Sequence, residues 1–356
     1  MDSYKHIFPF LSLFLILLHL SGQRVLQAEA GPTKLFVFGD SYADTGNIPE
    51  GISSSWNVPY GVTFPGKPAG RFSDGRVSTD FFAPIDFVIT KNSCACDAAK
   101  YLKLKSPIPY RLSEASREDV KYGVNFAFGG TGVFDTLVQG PNMTTQIDSL
   151  EQLTKDKIYS ASDLAQSLAL VSVAGNDYGH YTRRNGTLQG FPSFVGSVVN
   201  QIRRNLIRIK GLGVKKIVVG GIEPIGCLPS ATSATSFQRC NTTSNGFALL
   251  HNRLLKQAVA KLNQESEDHS TFIVLDLYDI FISVLNNDPS KLKPCCVGVS
   301  SEYSCGSVDE NNVKKYRLCD DPKSAFFWDN VHPTDAGWKT VYHNLQIKKP
   351  LQLIHY

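Results

Sequence analysis

A serine hydroxyl is a weak nucleophile at neutral pH, and it becomes effective when a histidine accepts its proton and a carboxylate orients that histidine. Residues of these types stand in four well-separated stretches. They are Gly39-Asp40-Ser41, Asn125-Phe-Ala-Phe-Gly129-Gly130, Gly175-Asn176-Asp177 and Asp329-Asn-Val-His332-Pro333. Of the histidines beyond residue 30 (His180, His251, His269, His332, His343 and His355), His332 lies in a Trp-Asp-x-x-His-Pro loop with Asp329 three residues before it. Each stretch taken alone is also compatible with ordinary structure, because glycine, aspartate and serine are common turn formers and Asp-x-x-His can cap a loop. Their combination points to acyl transfer through a serine.

The elements that must hold these residues read as alternating strands and helices. Residues 35–38 (Leu-Phe-Val-Phe) form an unbroken apolar run, as expected of a parallel strand covered on both faces. The run ends at Gly39, which puts Ser41 at a strand's carboxyl end, where open α/β sheets place their sites. Further strands are expected at 124–127, 168–173, 217–219 and 272–275, and helices at 193–210 and 244–264, the latter with Leu250, Leu254, Leu255 and Leu262 at helical spacing. A last helix is expected to start near Thr334, a good N-cap. Five strands joined by helices imply a parallel sheet with helices on both faces.

Composition bounds the setting. Residues 1–30 combine Lys5, an apolar run over 7–20 and Ala28-Glu29-Ala30, the layout of a secretory signal peptide; a run of that length is short for a membrane anchor. Residues 31–356 are expected to form one large α/β domain. The formal charge of +4 is mild and spread along the chain, which argues against a nucleic-acid partner, and no later apolar run is long enough to span a bilayer. Eight cysteines in a secreted chain suggest disulfides, with Cys227, Cys240, Cys295, Cys296, Cys305 and Cys319 as the framework and the pairing left open. Asn142, Asn185 and Asn241 begin sequons for glycans.

Two passages break the pattern. The glycine- and proline-rich stretch 59–74 is expected to be an ordered loop beside the site. Residues 84–99, which contain Cys94 and Cys96, interrupt a helical pattern that resumes if they are skipped, since Tyr101 and Leu102 then fall four residues after Phe81 and Phe82. They read as a local insertion, either a real surface loop or a splice-boundary error.

The four ordered blocks, together with Pro59-Tyr-Gly, Gly70-Arg-Phe-Ser-Asp-Gly75, Gly226-Cys-Leu-Pro229, Cys295-Cys296 and Pro333-Thr-Asp-Ala-Gly-Trp338, resemble the secreted plant branch of the GDSL esterase/lipase family in the SGNH hydrolase superfamily. The resemblance implies a flavodoxin-like three-layer sandwich around a five-stranded parallel sheet, and a secreted carboxylic ester hydrolase that needs no metal or cofactor. It makes Ser41 the nucleophile, His332 the base and Asp329 the orienting carboxylate, with an oxyanion hole built from the N–H groups of Ser41 and Gly130 and the amide of Asn176. Tyr42 stands where the motif has leucine, a position expected to do no chemistry. The Gly-x-Ser-x-Gly elbow of the α/β-hydrolase fold is only half met. Two alternatives stay open: an acyltransferase using the same acyl-serine, and a binding protein that keeps the fold without catalysis. The substrate is expected to be a small-molecule or lipid ester.

Overall fold

A computed structural model describes residues 31–82, 104–114, 118–173 and 175–347. The signal-like segment and the suspected insertion at 84–99 lie outside the described residues. In chain order the strands of the main sheet are β1 (Lys34–Gly39), β2 (Ile108–Pro109), β3 (Val124–Asn125), β4 (Ser167–Ser172), β5 (Lys216–Gly220) and β6 (Phe272–Leu275). The helices are α1 (Ser78–Phe82), α2 (Met143–Lys155), α3 (Ala161–Ala165), α4 (Gly175–Arg183), α5 (Phe191–Gly211), α6 (Pro229–Thr232), α7 (Thr242–Gln264), α8 (Leu277–Leu285) and α9 (Asp335–Ile347). A two-stranded antiparallel ribbon, β7 (Cys296–Gly298) with β8 (Tyr316–Leu318), stands apart from the sheet.

All pairings in the main sheet are parallel, in the order β2-β3-β1-β4-β5-β6. The five expected strands are therefore present, and the expected count is corrected to six by β2. That strand is only two residues long and ends in Pro109, which lacks an N–H and is tolerated because β2 is at an edge. Without it the order becomes 2-1-3-4-5, the flavodoxin-like arrangement, whose order reverses between β1 and β4. Gly39 pairs with Ser172, so β1 and β4 end level and deliver Ser41 and Asn176 to the same edge of the sheet.

Side-chain alternation explains why β1 is apolar throughout. Phe36 and Phe38, with Ala169, Val171, Ile217 and Val219, pack against one helical layer that includes Ile147 of α2, Val198 and Ile202 of α5 and Leu255 of α7. Leu35 and Val37, with Leu168, Leu170 and Val218, pack on the other face against Phe281 of α8 and Trp338, Val341 and Leu345 of α9. Successive residues of a strand face opposite sides, so a strand covered on both needs two apolar sets. Each large side chain so buried contributes roughly 1.5–3 kcal/mol over an exposed one.

The helix ends follow from local chemistry. Thr334 Oγ1 accepts from Gly337 N at 2.8 Å and caps α9, as expected. The caps of α2 and α7 are Asn142 and Asn241, two of the three sequon asparagines; their side chains accept from Thr145 N and Ser244 N. The third, Asn185, is exposed in a left-handed turn at φ +60°.

Candidate active site

The turn after β1 is built to hold Ser41 still. Gly39 has no alternative there, because a Cβ would meet Ser172 O at 2.2 Å. Gln146 of α2 clamps the strand end, accepting from Gly39 N at 2.8 Å and donating to Gly39 O at 2.9 Å. The fully buried Asp44 carboxylate accepts from the N–H groups of Gly46, Asn47, Ile48 and Gly129. Asn47 Nδ2 donates to Asn125 O and Ala127 O, and Asn125 Nδ2 donates to Ala43 O. The serine turn and the Asn125–Gly130 stretch are thus tied into one unit.

Ser41 Oγ lies 2.8 Å from His332 Nε2. On the other side of the ring, His332 Nδ1 lies 2.9 Å from both oxygens of Asp329. Asp329 also accepts from the N–H groups of Val331 (2.9 Å) and His332 (2.8 Å) and from the Tyr60 hydroxyl (2.7 Å). Burial works to raise the Asp329 pKa, but the His332 charge, its ring hydrogen bond and the two backbone N–H groups outweigh it and hold the carboxyl below its ordinary range. Asp329 is therefore an anion at neutral pH, an acceptor for a hydrogen on His332 Nδ1.

The Asp329 loop is held from two sides. Cys295 N and Cys296 N donate to Phe327 O and Trp328 O, and these two cysteines form the disulfides Cys295–Cys319 and Cys296–Cys305. A third disulfide joins Cys227 to Cys240. From the other side comes the 59–74 loop, ordered as expected. Ser73 Oγ donates to Pro333 O, Asp74 accepts from Asp335 N, and the Phe72 ring stands 5.0 Å from the His332 ring. Arg71 makes a buried two-point contact with Asp80 at 2.8 and 3.0 Å, which fastens this loop to α1.

Gly130 and Asn176 share a pocket of about 820 Å³ with Ser41. Gly130 adopts φ +82°, and a Cβ there would press on Val138 Cγ2 at 2.5 Å, so the position favours glycine. Asn176 Nδ2 donates one hydrogen to Thr131 O at 2.9 Å, which fixes the amide and leaves its second hydrogen for the pocket. Asp177 accepts from Val133 N and Phe134 N and so fastens the start of α4 to the Gly130 loop. His180 also follows an aspartate at the spacing of the Asp329–His332 pair. The expectation that His332 alone follows an aspartate at this spacing is thereby corrected: the spacing is shared, and the two histidines are separated by the fold, which occupies the Asp177 carboxylate with those two amides and leaves Asp329 on the His332 ring.

The residues singled out by sequence therefore come together: Ser41, His332 and Asp329 in one hydrogen-bonded chain, with Gly130 and Asn176 facing the same pocket. Sequence reasoning missed Tyr60 as a partner of Asp329, although Pro59-Tyr-Gly was visible as a block, and it missed Glu223, a buried carboxyl in the pocket wall. The aromatic residues Phe126 and Trp328 are core side chains. The apolar wall is instead supplied by Val138, Phe191, Ile222, Ile225, Leu228 and Phe247.

A flavodoxin-like sheet with a Ser–His–Asp chain across its carboxyl edge defines the molecule as an α/β protein of the hydrolase type. Residues 35–345 match the family model for GDSL-like lipase/acylhydrolase. A GDSL esterase/lipase of Arabidopsis thaliana is 55% identical over 334 residues, covering 91% of this chain and 88% of its own length. A second from the same plant is 53% identical over 87% of this chain and 86% of its own. Acetylajmalan esterase 2 of Rauvolfia serpentina is 29% identical over 87% and 88%. The chain belongs to the GDSL esterase/lipase family of the SGNH superfamily and is a carboxylic ester hydrolase.

Proposed function

We propose that this protein is a secreted serine esterase that works through an acyl-Ser41 intermediate. The carrying observation is the continuous chain from Ser41 Oγ through His332 to the Asp329 carboxylate. His332 Nε2 removes the hydroxyl proton as Ser41 Oγ attacks the ester carbonyl carbon. The developing oxyanion is received by the N–H groups of Ser41 and Gly130 and the amide of Asn176, neutral donors that add no titrating group. Collapse of the tetrahedral species expels the alcohol, which takes the proton from His332. Water then enters, gives its proton to His332 as it attacks the acyl carbonyl, and the acid leaves as Ser41 recovers its hydrogen. Asp329 stays ionised throughout and holds the ring while it carries the extra proton.

The apolar pocket wall suits an ester with a hydrophobic acyl or aromatic part. Secretion is supported by the signal-like residues 1–30, the disulfides Cys227–Cys240, Cys295–Cys319 and Cys296–Cys305, and the sequons at Asn142, Asn185 and Asn241, which we read as glycan acceptors. Among the described residues, no helix is long and apolar enough to cross a membrane. The test is reaction with a serine-directed phosphonate followed by peptide mapping. An adduct on Ser41 supports the reading, and an unlabelled folded protein contradicts it.

A further inference from the structure

The residue after Ser41 is a tyrosine, and its hydroxyl makes a contact across the site. Tyr42 Oη donates to Val331 O at 2.9 Å, and Glu223 Oε1 lies 3.3 Å from the same phenol oxygen. Val331 precedes His332, so one side chain joins the backbone beside the serine to the backbone beside the imidazole. Tyr42 and Glu223 are each only 7% exposed.

A phenol carries a single hydrogen. With Glu223 ionised, Val331 O and the carboxylate are both acceptors and compete for that hydrogen. With Glu223 protonated, the carboxyl donates to Tyr42 Oη, the phenol donates to Val331 O, and every hydrogen in the chain has an acceptor. Burial pushes in the direction of the protonated form. Burial is the largest influence on Glu223 and raises its pKa, against the opposing effects of its own backbone N–H, the Tyr42 hydrogen bond and the His332 charge. The titratable groups around the pair are Asp40 on the β1 turn and Asp329 and His332 on the final loop. Asp40 is itself pushed up to about 7, by burial first. Burial likewise keeps the Tyr42 phenol protonated, with a pKa well above its ordinary value.

We propose that Tyr42 and Glu223 are a positioning pair: the Glu223 carboxyl beside the phenol oxygen seats the Tyr42 hydroxyl against Val331 O, and this fixes His332 against Ser41. The inference rests on the catalytic reading of Ser41 and His332. It also assigns a role to the one motif position where this chain departs from the family's leucine.

The test is steady-state kinetics on a nitrophenyl ester as a function of pH, using the full chain with Tyr42→Phe, Glu223→Ala and Glu223→Gln. Tyr42→Phe keeps the ring contacts with His332 and Trp338 and loses only the hydroxyl. It is expected to lower kcat about ten- to a hundredfold with KM changed less than about twofold, the signature of a misplaced catalytic group. Glu223→Ala is expected to lose a similar factor. Glu223→Gln is expected to recover most of it, because the amide N–H can donate to Tyr42 Oη. A Tyr42→Phe protein with wild-type kcat and pH profile overturns the proposal, as does a Gln variant as impaired as the Ala variant. Phosphonate labelling of wild type keeps the two levels apart. An unlabelled Ser41 overturns the catalytic reading and this inference with it, whereas a labelled wild type with an indifferent Tyr42→Phe overturns this inference alone.

Discussion

His332 Nε2 sits 2.8 Å from Ser41 Oγ although 291 residues separate them in the chain. That closeness depends on two supports that meet at the carboxyl edge of the sheet. The serine turn is fixed by Gln146, Asp44 and Asn125, and the histidine loop is fixed by the 59–74 loop and the disulfide-bonded segment before Trp328. The expected consequences can be measured one support at a time.

Asn176 lines the pocket and has one amide hydrogen committed to Thr131 O. Asn176→Ala is expected to lower kcat about 10² to 10³-fold with a smaller change in KM, the usual loss for an oxyanion donor. Steady-state kinetics on a soluble ester would check this; an unchanged kcat would remove Asn176 from the oxyanion hole.

Tyr60 gives Asp329 a hydrogen bond at 2.7 Å from a side chain that is itself buried. A hydrogen bond to a charged group is worth about 1.5–3 kcal/mol, so Tyr60→Phe is expected to reduce kcat by about tenfold or more. If the variant's kcat matches the wild type, the Tyr60 contact has no part in holding the acid.

Asp40 predicts a stability change that runs opposite to the usual carboxylate case. Its pKa is raised from 3.8 to about 7, so between those values the folded protein holds a proton that the unfolded chain has released. Stability from this group therefore falls as pH rises from about 4 to about 7 and is level above that range. Asp40→Asn, which can still accept from Tyr42 N, is expected to melt higher than wild type at pH 8 and to show little advantage near pH 4. Thermal unfolding at both pH values decides it, and an equal difference at the two would refute the buried, proton-holding carboxyl.

The Cys295–Cys319 bridge closes a separation of 24 residues next to the Asp329 loop. Replacing both cysteines by serine is expected to cost roughly 2–4 kcal/mol of stability. Activity is expected to be lost at a lower denaturant concentration than the global unfolding signal, because the first segment to loosen is the one that carries Asp329. Coincident activity and fluorescence transitions would count against this local role.

Much of this arrangement was legible in the sequence. Strands such as 35–38 and 272–275 are unbroken apolar runs because both faces of a parallel sheet are covered, and that requirement is local enough to read. Ser41, Asn176, Asp329 and His332 were legible because few residue types can do this chemistry. β2 was not, since two residues ending in Pro109 carry no periodicity. Tyr60 and Glu223 were not, because their partners lie 269 and 181 residues away and only the fold brings them together. Asp177 was read as part of a conspicuous Gly-Asn-Asp block, yet its place is structural: it holds the Gly130 loop while its neighbour Asn176 faces the pocket.

The central claim is that Ser41 is the attacking group, and the most direct measurement is ester turnover by Ser41→Ala, with its fold verified by circular dichroism and thermal melting. The account predicts a fall in kcat of roughly 10⁴ to 10⁶-fold with an unchanged fold. A correctly folded Ser41→Ala protein that hydrolyses esters at the wild-type rate would contradict it.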